Sequence, residues 1–461
     1  MHSAEQVLTA SQMRSAEQAL IDEGATVDEL MLRAGRGAAD WVWRVAMGRP
    51  VTILCGPGNN GGDGYVIAAE LIARGAGVRV VAPLEPATDA ARAARQRWGG
   101  TRVSDARGGV LVDCLFGSGL TRPLSAELAA LLSTMACAHE FVVAIDVPSG
   151  VSTDTGEHLG ASIACNLTLA LGAWKPAHFL EPGAGTMGER RLVDIGIGAF
   201  ADAAMVYPAP RLDAPNRAAH KYTRGLVGVI GGKMAGAALL SAQAAMRGGA
   251  GYVKLLADLP SAGPAALVHD QRPLSDALAD PRFSALLVGP GLGRDEAARY
   301  RLAAVLERGV PTVIDADALH LLDDDLLEGI ATARMLLTPH EGELNVLCNR
   351  FSISAHGKVD QARGLAQTTG AAVLAKGADT VLATGEGDLA YFEAGPSWLA
   401  TAGTGDVLAG LCVSRMAAGS APFDAAGEAV WLHNEAARIA GPAMIADDLL
   451  RFISASYARF L

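Results

Sequence analysis

Short runs of Val, Ile and Leu recur along this chain. Each is followed by a Gly or Pro and then by an Ala-rich amphipathic stretch. In the first half the apolar runs occupy residues 51–55, 78–82, 110–114 and 141–147. Near-continuous apolar strands bounded by turn residues read as strands buried on both faces of a parallel sheet, with the amphipathic stretches as crossover helices. The rhythm breaks at Tyr207-Pro-Ala-Pro-Arg-Leu-Asp-Ala-Pro-Asn216, where three prolines disfavour helix and sheet alike. A second series follows at residues 226–230, 252–256, 285–288, 312–315, 335–338 and 372–375, and a helical region runs from Asp406 to the C-terminus. The pattern predicts two α/β domains in tandem, residues 1–207 and 221–461, joined by a linker at 208–220. No repeat of short fixed period is visible.

Composition narrows this picture only modestly. The chain has 461 residues, 50% hydrophobic and 19% charged, which supports large cores. A net charge of −11 argues against sequence-independent nucleic-acid binding but leaves room for a local anion pocket. The six cysteines form no Cys-x-x-Cys pair and mostly sit in apolar runs, so they read as buried, reduced thiols. The N-terminus lacks a basic region followed by an apolar one, and no uncharged apolar stretch of spanning length occurs. A cytoplasmic protein without membrane or nucleic-acid partners is expected.

The 54 glycines matter more, because they cluster at strand ends. The first strand ends in Gly56-Pro-Gly-Asn-Asn-Gly-Gly-Asp-Gly64, the third in Asp113 and a glycine turn up to Arg122, and the fourth in Asp146-Val-Pro-Ser-Gly150. In an open parallel sheet, ligands bind at such carboxyl ends. Glycine amides at a helix start suit a pyrophosphate, and oxygen groups from Asn60, Asp113 and Ser149 suit a hard cation. Asp146 is the acid/base candidate. Each has a plainer alternative: Asp63 as a helix N-cap, Asp113 as a turn carboxylate, and Asp146 and Ser149 as local partners of the Pro turn. Lys175, in Ala-Trp-Lys-Pro, reads as a snorkelling surface lysine before it reads as a catalytic partner. The spacing is not that of a Rossmann dinucleotide fingerprint.

The second half carries glycine turns at 231–236, 289–293 and 402–410, with Thr338-Pro-His-Glu-Gly-Glu343 and Lys376-Gly-Ala-Asp-Thr380. This set suits phosphoryl transfer, in which a protein mainly positions groups and neutralises charge. Amides at Gly403–Gly405 form an anion hole, and Asp406 can take a proton from an attacking hydroxyl. Lys376 and Thr380 are candidates for nucleotide phosphates, and Glu341 and Glu343 for positioning Mg²⁺. Asp406 could instead serve the helix dipole, and His340 could be a turn histidine. Asp315 and Asp317 read as structural turn acids near the site. No Walker-type P-loop is present.

Taken together, these motifs resemble the bifunctional NAD(P)H-hydrate repair family over essentially the whole chain. Gly56–Gly64, Asp113 with Phe116-Gly-Ser-Gly-Leu120, and Ile145-Asp-Val-Pro-Ser-Gly150 resemble the epimerase domain. Gly289-Pro-Gly-Leu-Gly293, Asp315-Ala-Asp-Ala-Leu319, Thr338–Glu343, Lys376–Thr380 and Gly403–Gly410 resemble the ADP-dependent dehydratase domain. The implied folds are a Rossmann-like three-layer α/β/α domain followed by a ribokinase-like α/β/α domain. The resemblance implies hydrated-dinucleotide contacts at Asn59, Asn60, Gly61, Gly62, Asp63, Gly117, Ser118, Gly119, Leu120, Thr121, Arg122 and Pro123, with Asp146 catalytic. It implies K⁺ at Asn60, Asp113 and Ser149. In the second domain it implies substrate contacts at Ala237, Gly291, Gly293 and His340, and Asp406 as the catalytic residue. Lys376, Gly377, Ala378, Asp379, Thr380 and Gly405 would hold the adenine nucleotide, with ADP as co-substrate, Mg²⁺ in attendance, and a homo-oligomeric assembly. The loop at 231–236 is shorter than the family form, and position 320 is His where the family commonly has Asn. The alternative is a small-alcohol kinase of the same fold fused to a non-catalytic nucleotide-binding or scaffold domain, but a scaffold needs none of Asn60, Asp63, Asp113 and Asp146.

Overall fold

The apolar runs of the first half form the centre of a six-stranded parallel sheet. In the computed structural model, which describes residues 5–257 and 263–461, its order is Val78–Val81, Val51–Cys55, Val110–Cys114, Phe141–Ile145, Leu167–Leu171, Glu189–Val193. Alternation along the strands feeds two cores. Ile53, Val112, Val143 and Ile145 pack with Val42, Ile67 and Leu71 from helices Val27–Ala46 and Asn59–Ala73. Leu54, Leu111 and Ala144 point the other way, against Leu132 and Met135 of helix Ala126–Cys137. That is the three-layer arrangement that strands apolar on both faces require. Thr26, Thr88 and Ser125 cap the helices that follow them, and Thr26 forms a full capping box with Glu29.

Strand Val51–Cys55 has its sequence successor, Val78–Val81, on one side and Val110–Cys114 on the other. The strand order therefore reverses at that point, and a crevice opens there beyond the carboxyl ends. The Gly56–Gly64 turn and the Leu115–Gly119 turn lie at its two lips.

The chain divides after Val206, and the second unit runs from Tyr207 to Leu461. The proline-rich segment expected as a linker lies within this unit. Its Leu212 is buried, and the Leu212 amide donates to the Phe460 carbonyl at 2.6 Å. The unit's sheet runs Leu389–Tyr391, Val381–Ala383, Ala372–Ala375, Met335–Leu337, Thr312–Ile314, Phe283–Val288, Leu226–Ile230, Tyr252–Leu256, Val268–Asp270. All neighbours are parallel except at Val381–Ala383, which is antiparallel to both of its own. Here the order reverses around Leu226–Ile230, again at a glycine turn. The expected C-terminal helical region is three helices, Thr404–Ala417, Pro422–Ala440 and Ala446–Ala458. Among the described residues, no helix is long and apolar enough to cross a membrane.

Candidate active sites

The crevice of the first unit is a cavity of about 510 Å³. Its floor is made by strand ends. Asn59, Asn60 and Asp63 reach it from the first turns of helix Asn59–Ala73, whose N-cap is Gly58. No side chain caps that helix, so its first amides are left for an anion. Gly61 is obligatory in this turn, since a Cβ there would lie 1.9 Å from the Gly56 carbonyl oxygen. Gly117 is packed between Asn60 and Asp146, each about 3.1 Å from where its Cβ would stand, so the loop lies directly on both side chains.

Asp146 is the first residue beyond strand Phe141–Ile145 and has φ 70°. A non-glycine residue in the left-handed region is strained, and such strain gathers at functional sites. Its carboxylate accepts from the Ser118 amide at 3.0 Å and is ion-paired with Lys175. Lys175 also donates to the Leu171 carbonyl at 2.6 Å. Burial alone would push the Asp146 carboxyl up, but the Lys175 ammonium and the Ser118 amide outweigh it and hold the pKa below the usual range. Lys175 is 1% exposed, so the expectation of a snorkelling surface lysine is wrong. His178 pins this pair through the backbone. Its Nδ1 accepts from the Lys175 amide at 2.8 Å, so its Nε2 donates to the Asp146 carbonyl at 2.8 Å. Burial, with the charge of Lys175, drops the imidazole pKa to about 3, and the ring is neutral.

Asp63 is not the N-cap. It lies inside the helix, buried, and burial together with the charges of Asp146 and Glu17 raises its carboxyl well above the usual range. Asp113 and Ser149 are buried, outside the cavity lining, and bond each other. The Ser149 hydroxyl donates to Asp113 at 2.7 Å and the Ser149 amide at 2.9 Å. Asn60 differs, because both atoms of its buried amide have no hydrogen-bond partner. An orphaned buried carbonyl oxygen fits a cation site, and Asp113 and Ser149 add only oxygens. Ser118, Gly119 and Leu120 line the cavity, whereas Thr121, Arg122 and Pro123 are exposed and outside its lining. Sequence reading missed Glu17, His178 and the burial of Lys175.

The second site is assembled at a helix N-terminus. Gly403, at φ 89°, starts helix Thr404–Ala417 without a side-chain cap, leaving its first-turn amides free of intrahelical acceptors. Asp406 sits in that turn, half-buried. Burial, then the negative charges of Asp315 and Glu343 against the opposing charge of Lys376, lifts its carboxyl to about 6. Lys376 is paired with buried Asp315 at 2.6 Å, and its Nζ lies 3.5 Å from where a Cβ of Gly405 would stand. Thr338 donates to the same Asp315 oxygen at 2.8 Å.

Around this centre the glycine turns interlock. Met234, within the 231–236 turn, donates its amide to the Gly291 carbonyl at 3.0 Å, and Asp317 accepts from the Gly293 amide at 2.9 Å. Ala237 is in helix Ala235–Arg247, and the Ser241 hydroxyl is within reach of both the Ala237 and Asp406 carbonyls. His340 caps helix Glu341–Arg350 in a capping box with buried Glu343, while Glu341 is exposed. Gly377, Ala378, Asp379 and Thr380 form the turn after strand Ala372–Ala375. There Asp379 is ion-paired with Lys358, a residue no sequence motif singled out.

Comparison with known proteins agrees with both halves. A family model described as NAD(P)H-hydrate dehydratase matches residues 227–454, and one described as YjeF-related protein N-terminus matches residues 27–177. The bifunctional NAD(P)H-hydrate repair enzyme Nnr of Synechocystis is 33% identical, covering 94% of this chain and 90% of its own length. That of Salinibacter ruber is 34% identical, covering 97% and 95%. Among solved structures, the ADP/ATP-dependent NAD(P)H-hydrate dehydratase from Bacillus subtilis co-crystallized with ATP/Mg²⁺ is 25% identical. That match covers 54% of this chain and 95% of the other, with a TM-score of 0.47.

Proposed function

The chain belongs to the bifunctional NAD(P)H-hydrate repair enzymes, and we infer from this that its first unit epimerises the hydrates of NADH and NADPH while its second dehydrates the (S) form. The observation that carries the reading is a pair of glycine-lined strand-end sites whose aspartates stand in opposite electrostatic states. A small-alcohol kinase fused to a scaffold is not favoured, because a scaffold has no use for the Asp146–Lys175–His178 arrangement.

The hydrate carries its hydroxyl at C6, beside the ring nitrogen, whose electrons help expel it. Epimerisation then needs a planar iminium and return of water to the other face. Asp146, ionised and fixed by Lys175, Ser118 and His178, stabilises that cation and accepts a proton from the incoming water. The free amides beyond Gly58 suit the dinucleotide's pyrophosphate. Asn60, Asp113 and Ser149 would hold K⁺, whose charge offsets those phosphates.

Hydroxide leaves poorly and phosphate leaves well. In the second unit Asp406 takes the proton of the C6 hydroxyl as that oxygen attacks the β-phosphate of ADP. AMP departs as the β-phosphoryl group moves to that oxygen; inorganic phosphate then leaves C6 and carries away the C5 proton, which restores the C5=C6 bond of NAD(P)H. The amides of the Gly403–Gly405 turn and the Lys376 ammonium neutralise the charge in transit. The Lys376–Thr380 turn would hold the nucleotide, and Glu343 would position Mg²⁺, which would supply charge neutralisation for its phosphates.

One assay tests both halves: mixed hydrate epimers with ADP, followed by the absorbance of reduced nicotinamide and by AMP release. Full recovery is expected. Recovery of only the (S) share would mean an inert first unit, and none at all would refute the second. Asp146→Asn should prevent rapid equilibration of the epimers, and unimpaired equilibration would rule out its role.

A further inference from the structure

Two-faced chemistry needs two proton-transfer groups. When hydroxide leaves one face of the ring it must take up a proton to become water. The water arriving on the other face must lose one. Asp146 accounts for only one of these events. Lys175 is poorly placed for the other, since it is 1% exposed and commits protons to Asp146 and to the Leu171 carbonyl.

Helix Ala10–Asp22 forms a separate wall of the cavity. It presents Ala10, Met13, Arg14, Glu17 and Ile21, a single face at helical spacing. Glu17 is the only carboxylate on that face. It is half-buried, and its carboxylate makes no hydrogen bond within the described residues. The charged groups that face it are Asp146 from a strand end, Asp63 from helix Asn59–Ala73, Lys175 from beyond strand Leu167–Leu171, and Arg14 from its own helix. We propose that Glu17 is the second proton-transfer residue of the epimerase, acting from the helix wall on the ring face opposite Asp146. This rests on the epimerase reading above.

The step balances without a co-reactant. In the (R)-to-(S) direction Glu17 gives its proton to the C6 hydroxyl, the C6–O bond breaks, and the nitrogen lone pair forms the C6=N bond. Water then bonds to C6 from the other face as the C=N electrons return to nitrogen, and its proton passes to Asp146. Glu17 ends ionised and Asp146 protonated, the form that carries the reverse reaction, and solvent in the cavity interconverts the two forms. Opposed pKa shifts support the division of labour: burial, with the charge of Asp146, raises the Glu17 carboxyl, whereas Asp146 is held low.

The test uses the full chain without ADP, on hydrate enriched in the (R) epimer by prior exhaustion of the (S) form. Wild type should equilibrate the epimers rapidly, and Glu17→Gln should slow this about 10²-fold or more. In the same Glu17→Gln protein the unfolding midpoint of the first unit should be unchanged, which reports an intact fold, and ADP-dependent dehydration of (S) hydrate by the second unit should persist. The fall in epimerisation rate on the alkaline side, where the donor has lost its proton, should vanish in Glu17→Gln and persist in Glu17→Asp. In ¹⁸O-water each conversion should place one labelled oxygen at C6. Equilibration by Glu17→Gln at the wild-type rate, or retention of the original oxygen, would overturn the proposal while leaving the epimerase intact. If wild type itself fails to equilibrate the epimers, the epimerase reading falls first.

Discussion

Asp146 and Asp406 occupy similar places, each beside a glycine turn at the carboxyl edge of a parallel sheet, yet they are tuned in opposite directions. Asp146 is buried with a cation already bonded to it, and its carboxyl is held low. Asp406 is half-buried and near Lys376, but that lysine is bonded to Asp315, and its carboxyl rises to about 6. A fixed negative charge is what a transient iminium requires, and it suffices to take the acidic proton of water once that water has bonded to C6. A base that must accept a hydroxyl proton needs a pKa closer to neutrality. The difference lies in where the neighbouring lysine is spent.

The comparison breaks most visibly in Asp406→Asn. Dehydration should fall about 10²–10⁴-fold while epimer equilibration is untouched; parallel loss of both activities would refute independent roles. Next comes Lys175→Met, which leaves Asp146 buried and unpaired. Breaking a buried pair costs about 3–5 kcal/mol, so a large drop in the unfolding midpoint of the first unit is expected with lost epimerisation. Asp315→Asn should be milder. It frees Lys376 to pair elsewhere and removes a negative neighbour, so the pH at which dehydration is half-maximal should move down.

In wild type that midpoint should lie near 6, because the ionised base is the active form and the rate declines as pH falls through it. Stability has the reverse sign. A folded carboxyl raised above its ordinary 3.8 contributes stability fully present below that value and lost as pH rises through about 6. The second unit thus gains its base over the window in which it loses that contribution. The smallest effect is expected from Lys358→Met, which releases Asp379 in the Lys376–Thr380 turn. The KM for ADP should rise about fivefold at constant kcat.

The central strands of both sheets were legible in the alternation of apolar runs and glycine turns, because strand burial is a local pattern, whereas Leu167–Leu171, Glu189–Val193, Val268–Asp270, Val381–Ala383 and Leu389–Tyr391 were not singled out. So was the placing of Asp146 and Asp406, each at a strand or helix end marked by glycine. What was not legible depends on contacts made across the fold. Lys175 lies 29 positions from Asp146, and no periodicity distinguishes it from a lysine whose stem lies along the surface. Glu17 faces the cavity only because its helix closes over the strand ends. Asp63 resembled a cap by its place among glycines, but the helix starts earlier, at Gly58. Thr121, Arg122 and Pro123 continue a motif whose lining role stops at Leu120.

His178 has a consequence of its own. One imidazole clasps the main chain at two points, accepting a hydrogen bond from the amide of Lys175 and donating one to the carbonyl of Asp146. With both nitrogens occupied, the ring cannot gain a charge without releasing the chain. Its pKa near 3 places that release far below any pH at which a cell metabolises. A residue best known as a physiological sensor is used here as a rivet, and the spacing between acid and ammonium stays indifferent to acidity in its surroundings.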